Sequence, residues 1–301
     1  MHFKLFIFAH ICAGKGEVMG KTIQALGNLV DVNGHKIHVF CTGQGKRTFV
    51  FLSGHGTSCP TLDFKPLWSI LSSENVIVVV ERAGYGWSET TNTSRDLDTV
   101  LEETRKALEL SNIEAPFILV PHSLAGLEAI YWAQKYPYEV EAIIGLDSAI
   151  PEAYDNFKMP SAAVLSVIGF LTKIGIHRPF VKSFYKKSPA AQSGYLTKAD
   201  NKAYIEILKN RTFTSDMLNE AKYVRQNADK VKNGTLPVNT PIYLFISNDN
   251  EKIIANWGKM LSDYIADYKN GKSMLLECGH YVHAYETIKI AKEIDDFIRG
   301  I

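Results

Sequence analysis

The stretch "ILVPHSLAGLEAIYWAQKYP", Ile118 to Pro137, decides how this chain is read. An apolar run stops at Pro121, a serine follows two residues later, and a helical pattern begins at Leu124. A strand that turns sharply into a helix with a serine at the apex is the arrangement that presents a nucleophile. The usual signature is G-x-S-x-G, and here Pro121 and Ala125 stand at the two glycine positions. The sharp turn crowds the residues two before and two after the serine, so they must be compact. Ala125 adds one methyl. Pro121 is small, its missing N–H is tolerable at a strand end, and it holds Val120 extended, as a strand already does. Gly126 supplies room one residue on. The turn is therefore permitted, and Ser123 is the candidate nucleophile. The following helix points free N–H groups and a positive dipole end at the place where an oxyanion would form.

A serine hydroxyl needs a base. "ECGHYVHAY" places His280 directly after a late apolar run, on the strand edge that also carries Ser123, where open α/β sheets bind their ligands. The base in turn needs a carboxylate to fix its tautomer. Asp249 follows the preceding apolar run, which gives the order Ser, Asp, His expected of a nucleophile elbow in such a sheet. Asp147, at the end of "AIIGLDSAIP", is the alternative acid, and Glu251 is a weaker one.

Outward from this stretch, short apolar runs alternate with helical patterns, which predicts βα units and a mostly parallel sheet. "LVDVNGHKIHVF" is two alternating strands about Asn33-Gly34, a hairpin signal. "TFVFLSG", "NVIVVVE", "FILVP", "AIIGLD", "PIYLFIS" and "SMLLE" follow as runs apolar on both faces, as expected of strands covered on both sides. Ile290, Ile294 and Phe297 or Ile298 recur at helical spacing near the end. Residues 151–237 break the alternation: helical patterns over Ser161–Lys173, Ala199–Leu208 and Ser215–Lys230 predict a helical insertion between two strands. The core is expected over residues 25–150 and 238–301. There are no internal repeats and no low-complexity tract.

With 301 residues, 46% of them hydrophobic and 22% charged, the chain has the composition of an ordinary soluble domain. A net charge of +1 gives no electrostatic case for nucleic acid. Cys12, Cys41, Cys59 and Cys278 show no framework spacing and read as reduced thiols. The expected location is therefore the cytoplasm. The first 24 residues are expected to be an N-terminal extension. "MHFKLFIFAHICAG" is shaped like a short signal peptide, although His10 interrupts it and Ile11 sits where a small residue is wanted. Secretion or N-terminal anchoring is the alternative; the run is too short to span a bilayer.

In order along the chain, "LSGHGTS", "ERAGYGWSE", "PHSLAGLEA", "YPYEVEAIIGLDSAIP" and "ECGHYVH" resemble the α/β-hydrolase-fold serine hydrolases over about Leu29 to Ile301. The resemblance implies an eight-stranded sheet with a helical cap after its sixth strand, a Ser-His-acid triad and no cofactor. It implies an oxyanion hole of two backbone N–H groups, one from Leu124 and one from the loop Ser53-Gly54-His55-Gly56, where His55 or Gly56 would donate. Ser53 departs from the histidine common in relatives. Asn250 sits where many relatives carry the triad aspartate, and a minority take the acid from the position of Asp147.

Other readings of the same residues are weaker. Cys278, His280 and His283 lack a fourth metal ligand at sensible spacing. "ERAGYGWSE" lacks the lysine of a phosphate loop. His122 and His283 are expected to pack, and His55 to line the pocket. The cap pattern "SAAVLSVIGFLTKIG" is apolar on most sides, which predicts a helix packed between cap and core or one that lines an acyl-chain pocket. A serine at the elbow argues against the relatives that use a carboxylate nucleophile, dehalogenases and epoxide hydrolases. The expected activity is hydrolysis of a carboxylic ester or related acyl substrate, an apolar one where the cap helix lines the pocket. An aminopeptidase or amidase, or a non-catalytic ligand-binding member, is the alternative.

Overall fold

The computed structural model describes residues 18–19, 23–155 and 160–301; the signal-like run at the start lies outside the described residues. Eight strands form one sheet: β1 (Asn28–Val32), β2 (His35–Thr42), β3 (Thr48–Leu52), β4 (Val76–Glu81), β5 (Phe117–Pro121), β6 (Val140–Leu146), β7 (Ile242–Ser247) and β8 (Gly271–Leu276). Their spatial order is β1-β2-β4-β3-β5-β6-β7-β8. β1 and β2 form the hairpin that Asn33-Gly34 announces, with both turn residues at positive φ. β2 pairs antiparallel with β4, and every later pairing is parallel. Val18–Met19 and Ile23–Gln24 make a separate short ribbon.

The helices are α1 (Pro60–Asp63), α2 (Lys65–Leu71), α3 (Leu97–Leu110), α4 (Ala125–Lys135), α5 (Ala162–Lys173), α6 (Val181–Lys187), α7 (Pro189–Gln192), α8 (Lys198–Arg211), α9 (Ser215–Lys232), α10 (Trp257–Tyr264), α11 (Val282–Tyr285) and α12 (Thr287–Arg299). Residues of the inner strands alternate between two cores, which is why those strands read as unbroken apolar runs. β8 was expected to be covered on both faces but lies at the sheet edge, with Leu276 buried and Leu275 61% exposed. Val50, Val78, Leu119, Ile143 and Leu244 pack on one face against α3, α4 and α9, through Leu101, Ile130 and Val224. Phe51, Val79, Ile118, Ile144 and Phe245 pack on the other against Leu67 and Leu71 of α2 and Ile290, Ile294 and Ile298 of α12. Of the two candidates for the last position of the α12 stripe, Ile298 is the one that is fully buried.

The register aligns the carboxyl ends of the parallel strands. Leu52 of β3 pairs with Pro121 of β5, Leu146 of β6 with Phe245 of β7, and Ser247 of β7 with Leu276 of β8. The residues that follow these ends therefore share one edge.

Between β6 and β7 the described residues hold helices and no strand; we call this helical segment the cap. Its helices run longer than their apolar patterns: α8 continues to Arg211 and α9 to Lys232. α6 and α7, of seven and four residues, are too short for a helical period to show in the sequence. A third apolar cluster joins this cap to the core, through Tyr185, Tyr204 and Ile207 against Cys59, Leu62 and Trp87. One expectation fails here. α5 is not packed between cap and core: Leu165 is buried, whereas Val164, Val167, Phe170, Leu171 and Ile174 face outward. Among the described residues of this helix Leu165 is the buried one; the other large side chains made the pattern look buried through their composition alone.

Candidate active site

Ser123 occupies the left-handed region, at φ 53°, directly after β5. Such a non-glycine conformation costs on the order of 1–3 kcal/mol and persists only where the surroundings enforce it. The turn's own hydrogen bonds begin at Ala125, whose N–H donates to the His122 carbonyl (3.1 Å), and Gly126, whose N–H donates to the Ser123 carbonyl (3.0 Å). The Leu124 N–H is left out of that set. The glycine that the motif lacks at 125 is needed one residue later. A Cβ on Gly126 would lie 2.0 Å from the Ala149 carbonyl oxygen. α4 thus rests directly on the chain that leaves β6, and the Ala149 N–H donates back to Ser123 O (2.8 Å).

That chain carries Asp147, which is also left-handed (φ 48°) and fully buried. Its Oδ1 accepts from Ser247 N (2.8 Å) and Trp257 Nε1 (2.7 Å). Its Oδ2 accepts from Ser247 Oγ (2.7 Å), Asn250 Nδ2 (2.8 Å) and His280 Nδ1 (2.6 Å). These donors satisfy the carboxylate away from water. His280, following β8, is partly exposed and turns Nδ1 to Asp147.

The expected pairing of His280 with Asp249 is corrected by this geometry. Asp249 is half-exposed and its carboxylate meets Lys252, three residues on. Chain order pointed to Asp249, but it begins a short 3-10 turn, Asp249–Lys252, whose only buried member is Asn250. Asn250 takes the inward position and sends its amide to Asp147, 3.0 Å from His280 Nδ1.

The loop after β3 lies against the elbow. A Cβ on Gly54 would be 2.7 Å from Ser123 Cβ. Of the two N–H groups proposed from this loop, that of Gly56 reaches the Tyr85 hydroxyl (3.3 Å). His55 sends its ring Nδ1 to Glu220 of α9 (2.9 Å). Glu220 also binds the Arg82 guanidinium and the Tyr85 hydroxyl, and Arg82 donates to the Ser53 carbonyl. Burial alone would raise the Glu220 carboxyl, but Arg82, His55 and Tyr85 outweigh it and hold it down at about 2. A cap carboxylate therefore clamps the loop beside the serine. It carried one sequence signal: Glu220 falls on the inward stripe with Met217, Ala221 and Val224.

Three further groups surround the edge. His122 is buried, and burial followed by the nearby His280 and His283 keeps it neutral; its Nε2 donates to the His280 carbonyl (3.2 Å). His283 is fully buried between Phe64 and His122, and burial and His280 push it down to about 3. Both pack against the site as the sequence suggested. Asp63 of α1, unmarked in the sequence, is buried with the Tyr204 hydroxyl as its partner. Burial raises its carboxyl to about 7 against the lowering effect of that bond, with Glu81 adding to the rise.

The glycine-rich loop after β4 closes around the Glu81 carboxylate, which accepts from Trp87 N (2.7 Å) and Thr61 N (3.1 Å). Its interior already holds an anion. Among the described residues no cluster of three His, Cys, Asp or Glu is arranged to hold a metal. Cys59 and Cys278 are free thiols.

No family model matches the sequence. The chain is 38% identical to the uncharacterized protein YbdG of Bacillus subtilis, over 99% of its own length and 92% of that protein's. Among solved structures it is similar to epoxide hydrolase I of potato, with a TM-score of 0.70 at 16% identity over 91% of this chain and 98% of that one. It is also similar to an esterase from Exiguobacterium antarcticum, with a TM-score of 0.67 at 14% identity over 90% of this chain and 98% of that one.

Proposed function

This chain belongs to the α/β-hydrolase-fold family, in one family with YbdG, and from that premise we propose that it is a serine hydrolase that cleaves a carboxylic ester through an acyl-enzyme. Ser123 Oγ attacks the carbonyl carbon while His280 Nε2 takes the hydroxyl proton. Asp147 holds Nδ1–H, which leaves Nε2 as the basic nitrogen and steadies the imidazolium. The N–H groups of Leu124 and His55 receive the oxyanion. Collapse of the tetrahedral intermediate expels the alcohol, which takes the proton back from His280. Water then repeats the sequence on the acyl-serine, releasing the acid.

The observation that carries this reading is the buried, five-bonded Asp147 carboxylate on His280 Nδ1, at the strand edge where Ser123 is held left-handed. A packing histidine needs no such partner. The potato neighbour's epoxide chemistry is not carried over, because the resemblance gives that chemistry a carboxylate nucleophile and the elbow here holds Ser123. The cap carboxylate nearest the oxyanion loop, Glu220, is already paired with Arg82. That supports an uncharged ester over a substrate bound by its ammonium group.

The test is labelling with a fluorophosphonate, read by intact mass and peptide mapping, beside p-nitrophenyl esters of increasing chain length. The expected adduct is on Ser123, and Ser123→Ala should lose both labelling and hydrolysis while its thermal midpoint holds. Hydrolysis by Ser123→Ala at the original rate would sink the nucleophile assignment.

A further inference from the structure

We propose that the outer face of the cap, α5 and α6 with their connection, docks this protein on a phospholipid bilayer bearing anionic headgroups. Large apolar side chains stand in solvent there over one continuous stretch. Phe170 is 62% exposed, Val167, Phe180 and Phe184 are each 57%, and Ile174 is 56%. Val167, Phe170, Leu171 and Ile174 recur at helical spacing, so they share one face of α5. Leu165 is the residue buried on the other side. Soluble monomers seldom leave a patch of this kind unpartnered.

The charge around the patch selects the partner. From Ser161 to Lys187 there is no aspartate or glutamate, while Lys173, Arg178, Lys182, Lys186 and Lys187 are all present, in a chain whose net charge is only +1. A cleft of about 500 Å³ between α5 and the end of α8 adds Lys209, beside Lys173 and Arg178 on its walls. Apolar side chains ringed by cations suit the acyl–headgroup boundary of an anionic membrane. A protein surface would bring its own carboxylates and a smaller apolar demand. The face lies on the membrane without crossing it. No single described helix is long and apolar enough to span; α5 and α6 are so only when taken together, and they bend by 74° at their connection. The inference stands apart from the ester-hydrolase reading, since it uses none of the residues at the strand edge.

The experiment is sedimentation of the full chain with phosphatidylcholine vesicles, alone and with roughly one-third phosphatidylglycerol. Binding is expected to the anionic vesicles, weaker to the neutral ones, and weakened by salt. The variant Phe170→Ser/Phe180→Ser/Phe184→Ser should bind at least about tenfold less, because it removes the apolar area that enters the bilayer. Lys182→Gln/Lys186→Gln/Lys187→Gln, confined to surface charges, should lose the preference for anionic lipid while leaving the thermal midpoint unchanged. Failure to bind anionic vesicles would overturn the proposal. So would undiminished binding by both variants, which would place the contact elsewhere. A dimer that the phenylalanine variant dissociates, with no vesicle binding, would assign the face to a second copy of the chain and overturn it equally.

Discussion

The ends of β6 and β7 lie side by side, and each carries an aspartate followed by a polar residue. At the end of β6, Asp147 is wholly buried and takes five hydrogen bonds, one of them from His280. At the end of β7, Asp249 faces water and a lysine, and the inward place belongs to Asn250, an amide. The two strand ends are alike in sequence and differ in donors. A buried carboxylate has no water to satisfy it, so it is recognised by what donates to it. Trp257, Ser247 and Asn250 supply those donors, and they come from the β7 side of the pair. The strand that lacks the acid thus provides the cradle for it.

The largest effect should follow from breaking the β6 side. Asp147→Asn should lower kcat by about 10⁴-fold with little change in KM, since the loss of a tautomer-fixing carboxylate has that size in a well-studied triad. Adding Asn250→Asp should sharpen the comparison by restoring part of the rate. Its carboxylate would stand where an amide nitrogen now lies 3.0 Å from His280 Nδ1. Steady-state kinetics on one p-nitrophenyl ester decides both, and a rate in Asp147→Asn within tenfold of the parent would return the acid to β7.

Next in size is the clamp from the cap. Glu220→Gln leaves the Arg82 guanidinium buried without its carboxylate, a loss of about 3–5 kcal/mol in comparable sites. Denaturant unfolding should show that loss, together with a lower kcat, because Arg82 donates to the Ser53 carbonyl and His55 pairs with Glu220 in the loop proposed to hold the oxyanion. A normal stability with normal turnover would mean that the clamp neither folds nor positions anything.

These two positions also show how far the sequence could be read. Ser123, His280 and the loop through His55 follow strand ends that are long apolar runs, and period and chain order suffice to place them. The choice between Asp147 and Asp249 depends on which residue a single turn of 3-10 helix buries, and no periodicity reports that. Glu220 carried a faint signal, a charge on an apolar helical stripe. Asp63 carried none, because α1 is one turn long. α5 misled for a physical reason: composition records that side chains are apolar but not that a neighbour covers them.

A third, smaller effect concerns another buried carboxylate. Asp147 is surrounded by donors, whereas Asp63 has the Tyr204 hydroxyl and lies among Glu81, Cys59, Tyr281 and His283. Its carboxyl is raised from 3.8 to about 7, so the folded state holds a proton that the unfolded chain releases. Stability from this group is present below pH 4 and is lost as pH rises through 7. Asp63→Asn should therefore unfold later than the parent at pH 8, by on the order of 1–3 kcal/mol, and the gain should shrink at pH 5. A gain that does not change with pH would mean that Asp63 is already ionised in the fold.

The smallest effect is expected at the residue that chain order favoured. The Asp249 carboxylate is about half exposed and its partner Lys252 more so, at 49% and 76%. Such a pair contributes on the order of 0.5 kcal/mol, and salt screens much of that. The group also carries no bond to His280, Asn250 or Trp257, so its charge cannot fix the imidazole. Asp249→Asn should change kcat/KM less than about twofold, since a screened surface charge shifts a transition state by only a few tenths of a kcal/mol, and the thermal midpoint should hardly move. A tenfold loss would mean that the turn after β7 rearranges when substrate binds and carries Asp249 inward. The acid would then be chosen by the bound state, and the burial of Asp147 would reflect packing alone.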